Sequence, residues 1–346
     1  MLKPIFRMIC NATAFNGGER TAIDIMKLMY GAGYKIELIP LLNKNCRDTI
    51  NIDFSKNIFF EYDLYHYLDF TNETHRYPCD ILFFLVNDSI IRHHKERINL
   101  DFINNIEAKR RVMCLNYSTQ YAGSYDMVRG WDLYICQNSK LLNNLICELG
   151  IEIKSKILYP PVDLQPFLEK EYNRDYSKLN LIRHSSQGDR KYNDDIHVMI
   201  AHIYNEIKNI EINLMPAPSF LYDNRVNIYP YNALSPVNFL ELGNLFWYFV
   251  PNEKFTEGCP RVVLEAMASG LPIICNNNGA LADIVNYNIG WNQVTWNYGM
   301  MTALLCEISE SDLREKGQNA RQWIKENITT DKWVEAIIGK IDFAKT

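Results

Sequence analysis

Two glutamates, Glu257 and Glu265, are the acidic side chains whose surroundings best suit chemistry. Glu257 comes shortly before Pro260, and proline suits the first turn of a helix because its missing N–H group costs nothing there. Glu265 then lies on the second turn of that helix, which Gly270 is expected to end. A carboxylate at this place can accept hydrogen bonds from two hydroxyl groups, such as a ribose diol or one edge of a sugar.

The start of the same helix also suits an anion. The N–H groups of a first helical turn have no partner inside the helix, so those near Arg261 and Val262 can meet a phosphate. Gly258 lets the backbone approach a ligand closely because it has no side chain. The stretch 255–285 therefore predicts a site for paired hydroxyl groups and a negative charge.

The elements around this stretch predict two doubly wound α/β halves. In the first half, a strand at 5–10, a glycine turn and an amphipathic helix lead to the strand KIELIPLL, which is a parallel βαβ pattern. The continuous apolar run at 79–86 suits a strand that is buried on both faces. A helix is expected over 92–110, and a second alternation of strands and helices begins near 178 and closes with two helices.

Composition excludes several classes of protein. A length of 346 residues suggests two domains, and a net charge of -5 disfavours a nucleic-acid binder, whose surface is basic. Apolar runs stay far below the ~20 residues of a membrane-spanning helix, and Arg7 interrupts the only N-terminal stretch that resembles a secretion signal. Nine cysteines without zinc-site spacing predict reduced, buried thiols and a cytoplasmic location.

The string EGCPRVVLEAMASGLPI, which begins at Glu257, resembles the Glu-(seven residues)-Glu motif of retaining glycosyltransferases. The similar enzymes are those of family 4, or glycosyl transferases group 1. The resemblance implies an α/β fold with GT-B architecture, in which two Rossmann-like, doubly wound parallel-sheet domains face each other across a cleft. It places an acceptor-side domain at 1–165, a nucleotide-sugar-binding domain at 166–328, and a C-terminal helix at 329–346 that packs back on the first domain.

The resemblance also implies residue roles around the motif. Glu257 would act in catalysis by contacting hydroxyl groups of the donor sugar, and Glu265 would hold the ribose of the nucleotide. The backbone of four residues would support the sugar and the distal phosphate: Gly258, Cys259, Pro260 and Arg261.

Further positions resemble the family outside this motif. Residues 178–194 resemble a segment in which an arginine and a lysine neutralise the pyrophosphate, and here Arg183 and Lys191 would take these catalytic roles, with Arg190 as an alternative to Lys191. Two fixed cations would stabilise a departing nucleoside diphosphate. Three glycines resemble those that approach the donor in the family: Gly17, Gly18 and Gly279.

The implied reaction moves a hexose from a UDP- or GDP-sugar to a glycan or lipid-linked acceptor with retention, as in polysaccharide biosynthesis. The chain has no D-x-D triplet, so no metal ion or other cofactor is expected. Where the family often has a histidine in the N-terminal half, this chain offers Asn116. The basic stretch 92–111 predicts peripheral contact with an anionic membrane.

Other functions stay open at this point. A nucleotide-sugar epimerase or phosphorylase of the same fold, or a non-catalytic nucleotide-sugar-binding protein, would carry the same motif. A nicotinamide dehydrogenase is disfavoured because FNGGER lacks the G-x-G-x-x-G spacing of dinucleotide sites.

Overall fold

The structure is a computed structural model. It describes residues 3–12, 16–41, 53, 78–86, 103–116, 129–150, 152–185, 189–251, 256–293 and 297–339. The chain divides into two compact units, the first made of Met1–Pro161, Thr256–Cys259 and Thr329–Thr346, and the second made of Val162–Phe255 and Pro260–Ile328. The Thr256–Cys259 segment thus belongs to the first unit, although the residues on both sides of it belong to the second.

The first unit contains a parallel sheet. Its strands are β1 (Ile5–Asn11), β2 (Lys35–Leu41), β3 (Cys79–Val86), β4 (Ala108–Leu115), β5 (Leu133–Cys136) and β6 (Ser155–Ile157). They lie in the order β2-β1-β3-β4-β5-β6. One face packs against α1 (Gly17–Gly31) and the other against α2 (Ser139–Leu149). The apolar run at 79–86 forms the predicted strand because helices cover it on both sides.

The helix expected over 92–110 is wrong at its C-terminal end, residues 105–110. The helix predicted over 92–110 overlaps β4, which begins at Ala108 and pairs in register with β3 from Cys79 onward. The charged start of β4 looks helical in sequence, but it lies at the edge where the strand enters the sheet and its side chains reach the surface. Residues 92–102 lie outside the described residues.

The last described helix, α3 (Thr330–Ile338), completes the core of the first unit. Trp333 is buried in the same apolar cluster as α1, and its indole N–H donates to the carbonyl of Tyr159 at 2.7 Å. Arg110 on β4 donates to the carbonyl of Ala336 at 3.0 Å. These contacts explain how α3 is held in the first unit.

An ion pair crosses the first two strands inside this unit. Arg7 on β1 lies opposite Glu37 on β2, and the two residues are 1% and 8% exposed. The guanidinium donates from Nε at 3.0 Å and from an Nη at 2.7 Å to the same carboxylate oxygen. Lys35 contacts the other carboxylate oxygen at 3.3 Å. Since both charges are buried, each depends on the other for compensation.

The second unit is also built on a parallel sheet. Its strands are β7 (Leu179–His184), β8 (Ile210–Met215), β9 (Asn227–Ile228), β10 (Leu245–Tyr248), β11 (Ile273–Asn276) and β12 (Gly290–Gln293), in the order β12-β11-β10-β7-β8-β9. Its helices are α4 (Gln165–Glu169), α5 (Ile196–Glu206), α6 (Pro236–Phe239), α7 (Arg261–Ala268), α8 (Ala280–Ile284), α9 (Tyr298–Glu307) and α10 (Glu310–Asn327).

Two elements near the end of this unit differ from expectation. The sequence indicated two closing helices, whereas the described residues from 297 onward form α9, α10 and α3, and β12 was not anticipated. β12 is only four residues long, and its residues after Gly290 are half-buried. Because such positions need not be apolar, the sequence GWNQ does not show the apolar pattern of a strand. Gly290 is required there because a Cβ would fall 1.9 Å from the carbonyl oxygen of Ile273 on the neighbouring strand.

Candidate functional site

Helix α7 lies in the chain between strands β10 and β11 of the second unit. Pro260 is the residue that caps this helix, one position earlier than the first turn in which it was expected, and its carbonyl accepts from the N–H groups of Val263 and Leu264. The helix ends at Ala268, and Gly270 follows with a φ of 78°, which favours glycine. The first turn therefore opens at the carboxyl edge of the sheet, where parallel α/β sheets bind ligands.

Glu265 faces inward from α7. It is 9% exposed, and its Oε2 lies 3.4 Å from Nε2 of His184, the last residue of β7. The imidazole is itself held edge-on by the rings of Phe239 and Phe246. Sequence reasoning did not select His184, since a histidine at the end of a strand carries no signal of its partner 81 positions later.

Arg183 precedes His184 on β7, and its guanidinium is enclosed. The side chain is 1% exposed and donates to the carbonyls of Phe249 at 2.9 Å and Lys191 at 2.6 Å. Its Cζ lies 3.9 Å from the ring centre of Tyr192 and 4.9 Å from that of Tyr248. Burial raises the pKa of Tyr192, and the nearby guanidinium opposes that rise.

Lys191 is the more accessible of the two predicted cations. It ends a 3-10 turn at Asp189–Lys191, is half-buried, and donates from Nζ to the hydroxyl of Tyr248 at 3.2 Å. The turn is anchored at its start, where Asp189 accepts from the backbone N–H of Ser219 at 2.7 Å. The structure therefore brings Arg183 and Lys191 together in the second unit. The side chain of Arg190 lies outside the described part of the chain.

Gly279 comes directly before α8. Its φ of 55° lies in the region that favours glycine, and it caps the five-residue helix. Ala280, the first residue of α8, is fully buried in the core. The backbone conformation therefore explains why position 279 is a glycine, and burial in the core explains why position 280 is a small apolar residue.

In the first unit, the Thr256–Cys259 segment packs against the carboxyl ends of β4 and β5. Glu257 and Cys259 are buried at 6% and 7% exposure. A Cβ on Gly258 would fall 1.7 Å from the carbonyl oxygen of Asn116, which follows β4, so only glycine fits. Gly258 was expected to leave room for a ligand. In the structure its lack of a side chain also lets its backbone pack against the backbone of Asn116.

Gly17 and Gly18, which were expected to form a turn before α1, are the first two residues of that helix in the same unit. The helix begins at Gly17, and Glu19 in its first turn accepts from the N–H of Asn16 at 3.0 Å and from Nδ2 of Asn11 at 2.5 Å. A Cβ on Gly18 would fall 2.8 Å from Nδ2 of Asn116. Asn116, noted in sequence as standing where the family often has a histidine, therefore contacts both Gly18 and Gly258.

Three buried thiols of the first unit, those of Cys10, Cys114 and Cys136, have raised pKa values. Burial raises the pKa of Cys10 and Cys114 well above the ordinary value, and it raises the pKa of Cys136 to about 12. A thiol with so high a pKa stays protonated near neutral pH, and the thiolate is the reactive form.

The described residues contain neither a candidate metal centre nor a candidate membrane-spanning helix. Nowhere in these ranges do three or more histidine, cysteine, aspartate or glutamate side chains form a group that could hold a metal ion. None of the described helices has the length and apolar content needed to cross a membrane.

The basic stretch 92–111 is described only in part. Arg110 is engaged with α3, and Arg111 donates to the carbonyls of Ile103 and Asn104 and lies 4.9 Å from the ring centre of Trp131. Among the described residues of this stretch, these two arginines thus bind backbone carbonyls, and Lys109 is the exposed cation. Contact with an anionic membrane stays a prediction.

Comparison with known proteins bears on the region around α7. Residues 236–325 match the family described as Glycosyl transferases group 1, a match that runs from α6 through β10, α7 and β11 to most of α10. It includes both Glu257 and Glu265. No curated protein matches the chain significantly in sequence.

Solved structures resemble the chain over nearly its whole length. HepE from Anabaena in complex with UDP-glucose aligns with a TM-score of 0.71 and 12% identity over 96% of this chain and 98% of that chain. The lipopolysaccharide outer core galactosyltransferase WaaB aligns with a TM-score of 0.70 and 14% identity over 98% and 100%. Sucrose-phosphate synthase from Thermosynechococcus elongatus aligns at 0.64 and 13% over 96% of each.

The fold is that of the GT-B glycosyltransferases. Two parallel six-stranded sheets with covering helices match the predicted fold class, and these neighbours share them. At such low identity the likeness to the neighbours is evidence of fold. The family match at 236–325 supports a group 1 glycosyltransferase.

Proposed function

We propose that this protein transfers a hexose from a UDP- or GDP-sugar to a glycan or lipid-linked acceptor with retention, without a metal ion. The observation that carries the proposal is the family match over the β10–α7–β11 unit, in which Glu257 and Glu265 are both buried polar residues. Buried carboxylates are costly unless they are compensated, which favours a role in binding. The neighbour solved with UDP-glucose makes UDP the first nucleotide to test.

We assign the nucleotide to the second unit. The inward-facing carboxylate of Glu265 would accept both hydroxyls of the ribose, and His184 at 3.4 Å would keep that carboxylate in place. The first turn of α7 would receive phosphate oxygens on its N–H groups. Gly279 and the backbone from Gly258 to Arg261 would border the donor, as the family resemblance implies.

The chemistry would then consist of positioning and electrostatic stabilisation. The bond between the anomeric carbon and the diphosphate oxygen breaks, the acceptor oxygen attacks from the same face, and its proton passes to the departing phosphate. Lys191 would compensate the charge that develops on the diphosphate. Glu257 would hold hydroxyls of the donor sugar, and no separate protein base is needed in this scheme.

The cellular setting belongs to the same proposal. The cysteines of the described residues are all free thiols, as expected for a protein of a reducing compartment such as the cytoplasm. A lipid-linked acceptor would bring the protein to a membrane surface, and the basic stretch 92–111 is the candidate contact. Transfer to such acceptors would serve polysaccharide biosynthesis.

The test is a thermal-shift screen with UDP, GDP, ADP and their common sugar conjugates on wild type and Glu265→Ala. We expect one nucleotide to raise the unfolding temperature of the wild type, and we expect the substitution to abolish most of that rise because the ribose loses its acceptor. Glu206→Ala, which removes an exposed carboxylate of the same unit, should shift like wild type. Repeating the screen and turnover in excess EDTA checks metal independence.

Other outcomes of the thermal-shift screen, and of turnover assays with the nucleotide sugars, would indicate other functions. No shift with any nucleotide would reject the nucleotide-sugar site. Binding without turnover on any acceptor would indicate a non-catalytic binding protein. Conversion of the sugar nucleotide without an acceptor would indicate an epimerase, and use of inorganic phosphate as the acceptor would indicate a phosphorylase.

A second prediction separates the two cations. We propose that Lys191 meets the diphosphate and that Arg183, enclosed by Tyr192 and Tyr248, acts by holding the Lys191 carbonyl. Lys191→Gln should weaken UDP binding by about 10-fold or more, since a charge-assisted hydrogen bond contributes roughly 1.5–3 kcal/mol, and should leave uridine binding unchanged. Isothermal titration calorimetry measures both affinities.

The UDP affinity of a double variant, Arg183→Gln with Lys191→Gln, tests the role of Arg183. If Arg183 acts through Lys191, adding Arg183→Gln to Lys191→Gln should cost less than about a further two-fold in UDP affinity. If the two losses multiply instead, the guanidinium binds phosphate itself and this assignment is wrong. Lys208→Gln, an exposed lysine of the same unit, serves as the charge control.

A further inference from the structure

Asn138 is a buried polar residue that the proposed reaction has not yet used. It follows β5, is 0% exposed, and caps helix α2. Its Oδ1 accepts from the N–H of Leu141 at 2.8 Å, which is the usual work of a helix-capping asparagine. A serine or aspartate would satisfy the helix equally well, so capping does not require the amide nitrogen.

The amide nitrogen of Asn138 makes contacts outside helix α2. Nδ2 of Asn138 donates to the carbonyl of Glu257 at 3.0 Å and to the carbonyl of Gly258 at 3.0 Å. The two N–H bonds of one side chain thus hold two successive peptide groups of the Thr256–Cys259 segment. These peptides lie 119 and 120 positions away in the chain, so the contact is a long-range constraint.

The same segment is held at two further points. Lys140, on the first turn of α2, donates from Nζ to the hydroxyl of Thr256 at 3.1 Å. Gly258 lies so close to the carbonyl of Asn116 that no side chain fits between them. Lys140 fixes the residue before Glu257, whereas Asn138 fixes the peptide that Glu257 itself begins.

We infer that Asn138 is a positioning residue for Glu257, and this inference rests on the proposed function. By fixing the peptides on both sides of Gly258, the amide restricts the backbone angles that aim the Glu257 carboxylate. Without it, two buried carbonyls lose a donor and the glycine, which tolerates many conformations, is free to turn. The carboxylate would then spend less time where it stabilises the transition state.

The decisive variant is Asn138→Ser, because serine keeps a capping oxygen and lacks the amide donor. We expect the kcat for sugar transfer to fall by about 10- to 100-fold, a range typical of misplacement by about 1 Å. The Kd for UDP should stay within about two-fold, since the nucleotide is assigned to the second unit. In a Glu257→Ala background, Asn138→Ser should lower kcat by less than about two-fold, because its target is gone.

Asn297→Ser is the matched control. Asn297 caps α9 of the second unit in the same manner, its side chain accepting from the N–H of Met300. Asn297→Ser therefore makes the same substitution at the start of a helix that does not contain or cap the Thr256–Cys259 segment. We expect kcat and the Kd for UDP to equal those of wild type.

A second readout does not depend on activity. Cys259 lies in the segment and is 7% exposed, so its alkylation by iodoacetamide reports how often the segment opens. Mass spectrometry of the Cys259 peptide should show alkylation about 10-fold faster in Asn138→Ser than in wild type or Asn297→Ser.

The outcomes are distinguishable. Unchanged alkylation, or faster alkylation with unchanged kcat, would overturn the positioning role, and so would an undiminished kcat loss in the Glu257→Ala background. Equal loss of UDP binding would indicate general damage and overturn it as well. No turnover by the wild type with any donor would instead reject the proposed transferase, and the role of Asn138 would fail with it.

Discussion

Glu257→Ala is expected to lower kcat for sugar transfer by about two to three orders of magnitude, the usual cost of removing one preorganised electrostatic contact from a catalytic site. The carboxylate is nearly buried, so water cannot take over its contacts with the sugar hydroxyls. The Kd for UDP should change little, because the nucleotide contains no hexose. Steady-state kinetics with the sugar nucleotide found in the screen, combined with calorimetry for UDP, measures both quantities.

Glu257→Gln refines this test. The amide keeps the shape and one accepting oxygen but removes the negative charge, so a milder loss than with alanine would show that hydrogen bonding to the sugar dominates. Glu107→Ala, which removes an exposed carboxylate of the first unit, should leave kcat unchanged. A kcat for Glu257→Ala within threefold of wild type would remove this residue from the reaction.

The second large effect concerns stability. Arg7→Met should lower the free energy of unfolding of the first unit by about 3–5 kcal/mol, since it leaves the Glu37 carboxylate buried without its main partner. Adding Glu37→Leu should restore much of that loss, because an apolar pair of similar volume avoids the cost of burying charge. Urea unfolding followed by circular dichroism measures each variant.

An exposed pair provides the comparison for this result. Arg314 and Glu310 lie one turn apart on α10 at 2.8 Å, with both side chains about half exposed. Arg314→Met should therefore cost less than about 1 kcal/mol. If Arg7→Met were equally mild, or if the double variant were less stable than the single one, the buried pair would not carry the stability assigned to it.

The fold could be predicted in outline because its signals are local. The apolar run at 79–86, the amphipathic pattern of α1 and the helix stop at Gly270 each depend on a few neighbouring residues. β12 could not be predicted, because a half-buried four-residue strand has no apolar pattern. The charged start of β4 was mistaken for helix, since only pairing with β3 makes it a strand.

In the candidate site too, features with a local sequence signal could be predicted and features that depend on distant contacts could not. The spacing of Glu257 and Glu265 is a local signal, and the family match at 236–325 supports the same stretch. His184 and Asn138 were missed because their partners are distant in the chain and a sequence pattern does not report side-chain contacts. Arg183 shows a related limit, since its sequence position does not reveal that its guanidinium donates to two backbone carbonyls.

The placement of the Thr256–Cys259 segment has a consequence for recombining this protein with others. A chimera that moves the contiguous block 162–328 into a related protein would carry the Thr256–Cys259 segment without the residues of the first unit that it packs against. The segment would then meet foreign residues at positions 138 and 140, and the foreign residue at position 116 would have to leave room at Gly258. Successful grafts should therefore move these three positions together with the block.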